Sequence, residues 1–168
     1  MVAGEQNTLA LHFALCAVFY KELQILYHSN GKPYLSDKSM HISISHTQSH
    51  VAIAISGEPI GIDIETKSRN AHSAAKAYLQ PQEIETVNSS KEPHKEALRL
   101  WTAKEAAFKL NPACSTVIKE IATEKAAENG SSTVYRIAYK NGTTARCHTS
   151  EHDSFILSSC TFKKLSNP

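Results

Sequence analysis

The sequence lacks the features that mark several large classes of protein. Its 168 residues carry a formal net charge of only +2, so the chain has no strong electrostatic footprint for nucleic acid. No two of its four cysteines stand within four residues of each other, which argues against a CxxC zinc site or a disulfide framework. The cysteines are Cys16, Cys114, Cys147 and Cys160. This usage is typical of reduced thiols in a cytoplasmic protein.

Long hydrophobic runs are scarce as well. The apolar run from Leu9 to Val18 contains His12, follows no basic residue and is too short to span a bilayer. We interpret it as part of a buried helix over residues 8–28 and expect no association with a membrane. A hydrophobic content of 41% is sufficient for a sizeable core and argues against disorder.

Periodicity and turn signals predict an α+β fold. Alternating apolar residues predict three strands, over 41–45, 50–56 and 60–65, and later three antiparallel strands, over 133–140, 143–149 and 154–162. Helices are predicted over 71–87, with a break at Pro81, and over 93–110. A turn is predicted at 30–33 and a loop at 129–132. Hairpin turns are predicted at 56–59 and, from the Asn-Gly pair, at 141–142. Residues 113–129 have a mixed helical and irregular pattern.

The third predicted strand is unusually acidic. Asp63 and Glu65 are two residues apart and therefore lie on one face of a strand, while Ile62 and Ile64 lie on the other face and are expected in the core. Two adjacent carboxylates repel each other unless a cation relieves them. Their oxygens suit a hard ion such as Mg²⁺. The alternative is an acidic strand face that is simply solvated.

The second predicted helix carries a matching set of polar side chains. Trp101, Glu105 and Lys109 follow one another at intervals of four residues and so share one helix face. A plain surface ion pair between Glu105 and Lys109 would explain two of them. The only tryptophan of the chain and the neighbouring alanines instead favour a face that packs closely against another element.

Two residues at the end of the first predicted strand, Ser45 and His46, are a further candidate. Adjacent strand residues point to opposite faces, so this pair is not expected to form a nucleophilic dyad, and no GxSxG motif accompanies it. A histidine in this position could contact a phosphate, or it could satisfy a local hydrogen bond.

Four segments of the chain occur in the order found in one known family. They are GKPYL at 31–35, ISISHT at 42–47, GIDIE at 61–65 and WTAKEAAFK at 101–109. In these segments the chain resembles the 4′-phosphopantetheinyl transferases, specifically the two-lobed type that activates surfactin synthetase, with a shortened N-terminal lobe. The resemblance implies an α+β fold of two similar lobes, each with a small antiparallel sheet packed on helices. Residues 1–60 would form the shortened lobe and residues 61–168 the lobe that carries the metal site.

The resemblance also implies a chemistry. Such enzymes transfer the phosphopantetheine arm of coenzyme A to a serine of an apo acyl or peptidyl carrier protein and release 3′,5′-ADP, with Mg²⁺ or Mn²⁺ as the metal. By resemblance, Asp63, Glu65 and Glu105 would coordinate the metal, and Glu105 or a water on the metal would deprotonate the serine. Lys109 would stabilise the pyrophosphate. Coenzyme A would be contacted by Lys32, Ser45, His46 and Lys109.

The same resemblance implies partners and a location. We expect a cytoplasmic enzyme, monomeric or a small homo-oligomer, that binds an acidic carrier protein and neither nucleic acid nor a membrane. Lys104, which points away from Glu105, and the loop with Lys67 and Arg69 are expected to meet that carrier. Two other functions stay open: a non-catalytic module that binds coenzyme A or a carrier protein, and a metal-dependent phosphohydrolase of another nucleotide.

Overall fold

The computed structural model describes residues 24–111 and 117–162, and these residues form nine β-strands and three α-helices, with 3₁₀ turns at His72–Ala74 and Ile118–Glu120. The strands are β1 (Ile25–Tyr27), β2 (Pro33–Leu35), β3 (His41–His46), β4 (Val51–Ser56), β5 (Ile60–Thr66), β6 (Ala122–Asn129), β7 (Ser132–Ala138), β8 (Thr144–Glu151) and β9 (Phe155–Phe162). The helices are α1 (Ala75–Tyr78), α2 (Pro81–Ser89) and α3 (Pro93–Leu110). The predicted α+β class with small antiparallel sheets is confirmed.

The largest sheet contains five antiparallel strands in the order β5-β9-β8-β7-β6. The predicted three-stranded meander is confirmed as β7 to β9, but the sheet extends beyond it on both sides. Residues 122–129, predicted as mixed in character, form the edge strand β6. Their alanine, glutamate and lysine content favours a helix in isolation, and pairing with β7 overrides that preference.

Two predictions in the N-terminal half are wrong. The helix predicted over 8–28 is contradicted at Ile25–Tyr27, which pairs with Pro33–Leu35 as a two-stranded sheet. Residues 8–23, including the apolar run, lie outside the described residues. The turn at 56–59 does not make a hairpin, because β4 pairs with β3 whereas β5 pairs with β9.

The two longer helices begin as the sequence predicted. Pro81 and Pro93 each occupy the first turn, where a missing N–H costs nothing. Glu96 in the first turn and Lys109 in the last turn of α3 complement the helix dipole. Within the described residues, no helix has the length and apolar character needed to cross a membrane.

Helix α3 packs directly against the backbone of β5. A Cβ atom added to Gly61 would lie 2.0 Å from the carbonyl oxygen of Ala106 and 2.5 Å from the amide nitrogen of Leu110. Only glycine fits at that contact. Because side chains alternate along a strand, Asp63 and Glu65 lie on the same helix-facing side as Gly61. Ile62 and Ile64 are buried on the opposite side, as predicted.

Strand β3 closes the free edge of β5 with side chains instead of a ladder of backbone bonds. The hydroxyl of Ser43 accepts a hydrogen bond from the Ile62 amide at 3.0 Å, and that of Ser45 accepts one from the Ile64 amide at 3.3 Å. Two amides that would otherwise be buried without partners are thereby satisfied. The arrangement also fixes Ser45 beside the acidic segment of β5.

Candidate active site

A cavity of about 600 Å³ lies where the end of β3, the middle of β5 and the C-terminal half of α3 meet. Six of the seven predicted site residues line it: Ser45, His46, Asp63, Glu65, Glu105 and Lys109. The seventh, Lys32, lines an adjoining cavity of about 160 Å³ that shares Lys109 with the first. The structure thus brings the acidic strand and the acidic helix together.

Asp63 is the most buried carboxylate of the cavity, with only 4% of its surface exposed. Its Oδ1 atom accepts hydrogen bonds from Lys109 Nζ at 2.7 Å and from Ser45 Oγ at 2.8 Å. Its Oδ2 atom is buried and has no hydrogen-bond partner. Burial raises the pKa of Asp63, although Lys109 and Ser45 oppose that rise. One oxygen is therefore held and the other is left unsatisfied.

Glu65 is held by two donors on a single oxygen. The indole N–H of Trp101 donates to Oε1 at 2.7 Å, and the Arg69 guanidinium forms an ion pair with the same atom at 2.8 Å. The Arg69 guanidinium also lies over the Trp101 ring, 4.7 Å from its centroid. The ring of Tyr78 meets Trp101 edge-on at 4.8 Å. The indole is thus locked between three neighbours.

Glu105 differs from the other two carboxylates. No hydrogen bond or ion pair joins its side chain to any other residue in the described parts of the chain. Burial, together with the negative charges of Asp63 and Glu65, raises the pKa of Glu105 to about 6, while Lys109 and Arg69 act in the opposite direction. The surface ion pair between Glu105 and Lys109, the alternative interpretation of this helix face, does not form, because Lys109 pairs with Asp63.

The basic residues of the two cavities have distinct contacts. Lys109 Nζ also donates to Ser45 Oγ at 2.9 Å, so it bridges β3 and β5. Lys32 Nζ donates to the carbonyl of Leu110 at 3.1 Å, where it satisfies a free carbonyl at the end of α3. Partial burial lowers the pKa of Lys32. His46 is exposed at the cavity mouth.

Lys104 does not lie where the sequence suggested. Its side chain is fully buried, and its Nζ lies 2.5 Å from Oε2 of Glu83 on α2. The other oxygen of Glu83 accepts bonds from the backbone amide and hydroxyl of Thr123, at 2.9 and 2.6 Å. Burial lowers the pKa of Lys104, and Glu83 opposes this. The expectation that Lys104 meets a carrier protein is therefore wrong.

Sequence reasoning missed two contributors to the cavity wall, Arg69 and the hydrogen bond of Trp101. Arg69 stands four residues after Glu65, a spacing that would have suggested an ion pair only if the chain turned sharply after β5. It does turn there, because the Arg69 amide donates to the carbonyl of Thr66 at 3.0 Å. The four-residue spacing of Trp101 and Glu105 places them on one helix face, but it does not identify Glu65 as the hydrogen-bond partner of the indole.

The three carboxylates of the cavity, Asp63, Glu65 and Glu105, are the oxygen donors available to a divalent metal ion. As the side chains stand, no group of three acidic, histidine or cysteine residues within the described parts of the chain is close enough to hold one. Lys109 and Arg69 engage two of the three carboxylates instead. The unsatisfied Oδ2 of Asp63 and the mutual repulsion around Glu105 nevertheless fit a hard cation that oxygen ligands prefer. The donor set therefore fits Mg²⁺ or Mn²⁺ after side-chain adjustment.

Comparison with known proteins gives consistent matches. A family model described as the 4′-phosphopantetheinyl transferase superfamily matches residues 59–159. The chain is 34% identical over 83 residues to "4′-phosphopantetheinyl transferase" of Bacillus subtilis and 35% identical over 89 residues to "4′-phosphopantetheinyl transferase gsp" of Aneurinibacillus migulanus. These alignments cover 47% and 51% of this chain and 37% of each relative. The chain thus spans well under half the length of these curated relatives.

The family match includes the part of the chain that builds the acidic cavity. Residues 59–159 contain β5, all of α3 and the five-stranded sheet apart from the last residues of β9. Lys32, Ser45 and His46 lie before it. Because the match extends over more than half of the 168 residues and includes Asp63, Glu65, Glu105 and Lys109, the chain belongs to the 4′-phosphopantetheinyl transferase superfamily.

Proposed function

We propose that the protein transfers the 4′-phosphopantetheine arm of coenzyme A to a serine of an apo acyl or peptidyl carrier protein and releases 3′,5′-ADP. The reaction depends on Mg²⁺, with Mn²⁺ as a substitute. The observation that carries this proposal is the meeting of three carboxylates and Lys109 around one cavity, in a chain of this superfamily. Asp63, Glu65 and Glu105 would hold the metal.

Glu105 is the proposed general base. A carboxylate whose pKa is about 6 is mostly ionised at neutral pH and is more basic than an ordinary glutamate. Glu105 takes the proton of the carrier serine as the serine oxygen attacks the β-phosphorus of coenzyme A. The new oxygen–phosphorus bond forms while the bond to 3′,5′-ADP breaks. A bound divalent cation supplies neutralisation of the charge on the pyrophosphate.

The basic residues of the two cavities would hold coenzyme A. Lys109 lines both the acidic cavity and the adjoining one, so its ammonium group can bind a phosphate oxygen at their junction. Lys32 lies in the adjoining cavity, and the exposed His46 lies at the mouth of the acidic cavity. We assign both to phosphates of coenzyme A. Ser45 would orient Lys109 and add a hydrogen bond.

The wider setting belongs to the same proposal. We assign residues 1–60 to a shortened N-terminal lobe and residues 61–168 to the lobe that carries the metal site. The buried free thiols of Cys147 and Cys160 support a cytoplasmic location. A monomer or small homo-oligomer would act on the carrier protein, without nucleic acid or membrane.

The decisive experiment is a transfer assay. Purified protein is incubated with coenzyme A, Mg²⁺ and a panel of apo carrier proteins, and each carrier is examined by intact mass. We expect a phosphopantetheine adduct on the serine of at least one carrier. Asp63→Ala should abolish the adduct while circular dichroism stays that of the folded protein. Glu85→Gln, which changes an exposed carboxylate on α2, is the matched control and should retain activity.

A second candidate is a non-catalytic module that binds coenzyme A or a carrier protein. It is supported by the engagement of two of the three carboxylates by cations, Asp63 by Lys109 and Glu65 by Arg69. Calorimetry that detects coenzyme A or carrier binding, with no adduct on any carrier, would favour this candidate. Phosphate release from coenzyme A without a carrier would instead indicate a hydrolase.

A further inference from the structure

The Arg69 side chain pairs with Glu65, one of the three carboxylates proposed to bind the metal ion. Its guanidinium is the ion-pair partner of Glu65 within the described residues, at 2.8 Å from Oε1. It also lines the acidic cavity together with Asp63 and Glu105. An arginine stays protonated at all physiological pH values, so this positive charge cannot be removed by loss of a proton. A divalent cation at Glu65 would therefore meet a fixed positive charge.

The two donors to Glu65 differ in how they can respond. Trp101 is neutral, belongs to the rigid helix α3 and is held by the edge-on ring of Tyr78. Its N–H bond can persist while the carboxylate binds a metal, as outer hydrogen bonds to metal ligands commonly do. Arg69 lies in the turn after β5, and its side chain is 46% exposed. Its guanidinium can reach water by rotation of side-chain torsions alone.

We propose that Arg69 is a built-in counter-cation that holds Glu65 in the metal-free protein and leaves it when a divalent cation enters the cavity. The inference rests on the metal site of the proposed function. It assigns Arg69 a positioning role: the guanidinium keeps two neighbouring carboxylates from repelling each other before the cation arrives. Lys109 acts in the same way on Asp63, but its side chain is less exposed, at 29%.

The protein contains its own reporter of this exchange. Trp101 is the only tryptophan of the chain, and the Arg69 guanidinium lies 4.7 Å from its ring centroid. Departure of the guanidinium removes a cation–π contact and exposes one ring face to water. The emission of Trp101 should therefore change on addition of Mg²⁺ and should change less when residue 69 is not an arginine.

The test compares two neighbouring cations of one loop. Arg69→Ala removes the counter-cation, whereas Lys67→Ala removes an equal charge that pairs with Glu151 at 2.7 Å and lies outside the cavity lining. Binding of Mn²⁺ to each protein is followed by the electron paramagnetic resonance signal of the free ion. We expect Arg69→Ala to bind Mn²⁺ roughly twofold to fivefold more tightly than Lys67→Ala, the range that a half-exposed ion pair can contribute.

The possible results separate the inference from the function on which it rests. The proposed role of Arg69 is supported if Arg69→Ala binds Mn²⁺ more tightly than both the wild type and Lys67→Ala. The Mg²⁺-induced change in Trp101 emission should also be smaller in Arg69→Ala than in the wild type. Equal affinities in the two variants would overturn it and leave the metal site intact, because only general charge would then matter. If none of the three proteins bound Mn²⁺, the metal site itself would be refuted and the counter-cation with it. Thermal unfolding of each variant checks that the fold is retained.

Discussion

Replacement of Glu105 by glutamine should stabilise the metal-free protein above neutral pH, although it removes the proposed base. Burial and the charges of Asp63 and Glu65 raise the pKa of Glu105 from 4.5 to about 6. Above pH 6 Glu105 is ionised in both states, and its charge costs more free energy in the folded chain than in the unfolded chain. Between pH 6 and 4.5 the folded state takes up a proton before the unfolded state does. As the pH falls below 4.5 the unfolded state is protonated as well, so the penalty disappears.

The size of the effect follows from that difference. A shift from 4.5 to about 6 corresponds to an upper limit of about 2 kcal/mol. Glu105 is only partly buried, and solvent screening reduces this to about 1 kcal/mol. For a chain of this length, such a gain raises the midpoint of thermal unfolding by about 2–4 °C. Glutamine keeps the shape of the side chain, so packing changes contribute little.

Calorimetry in the presence of a chelator at pH 8 and at about pH 3.5 would measure the gain. Glu105→Gln should unfold at a higher temperature than the wild type at pH 8 and at the same temperature at about pH 3.5, where Glu105 is protonated in both states. Glu85→Gln is the control for the loss of an exposed carboxylate and should unfold like the wild type at pH 8. A Glu105→Gln protein that is no more stable than the wild type at pH 8 would refute the reasoning. So would a gain that persists undiminished at about pH 3.5.

Three other substitutions or treatments test the packing around the site. Lys104→Met should lower the free energy of unfolding by about 3 kcal/mol, because it leaves the carboxylate of Glu83 buried without its cation. The control Lys140→Met, at a residue whose side chain is 74% exposed, should lower it by less than about 1 kcal/mol. Urea unfolding would measure both losses, and equal losses would contradict the burial of Lys104. Gly61→Ala should lower the free energy of unfolding by at least about 1–3 kcal/mol, because the added Cβ would lie 2.0 Å from a backbone carbonyl oxygen. It should also slow phosphopantetheine transfer. An unchanged melting curve and an unchanged transfer rate would exclude that close contact. Cys147 and Cys160 are wholly buried, so a thiol reagent applied briefly to the native protein should label neither. Peptide mapping would show both labelled only after denaturation. A label on either cysteine of the native protein would disprove its burial.

The sequence predicted the strands whose own pattern is sufficient to define them. Strands β3, β4, β5 and β7 to β9 carry alternating or continuous apolar residues, and Asn141-Gly142 marks the turn between β7 and β8. Strand β6 could not be predicted in this way. Its outer residues are exposed and helix-favouring, and it is a strand only because β7 lies beside it. The pairing of β5 with β9 likewise depends on contacts that no local pattern contains.

The sequence predicted those features of the site that depend on the spacing of residues within one strand or one helix. Asp63 and Glu65 on one strand face, and Glu105 and Lys109 on one helix face, follow from the periods of single elements. The burial of Lys104 does not, because α3 is covered on several sides and buries polar residues such as Arg99 as well. A helix of this kind lacks a clear polar face from which its orientation could be inferred.

The contact at Gly61 limits how the site can move. No side chain separates Gly61 from the carbonyl of Ala106, so β5 and α3 cannot approach further at this point without collision. Asp63 is carried by the strand and Glu105 by the helix. The contact therefore sets a lower limit on the distance between the two backbones that carry these carboxylates. A ligand that needs the carboxylates closer together must draw them in by side-chain rotation, and an inhibitor built for this cavity would meet the same lower limit.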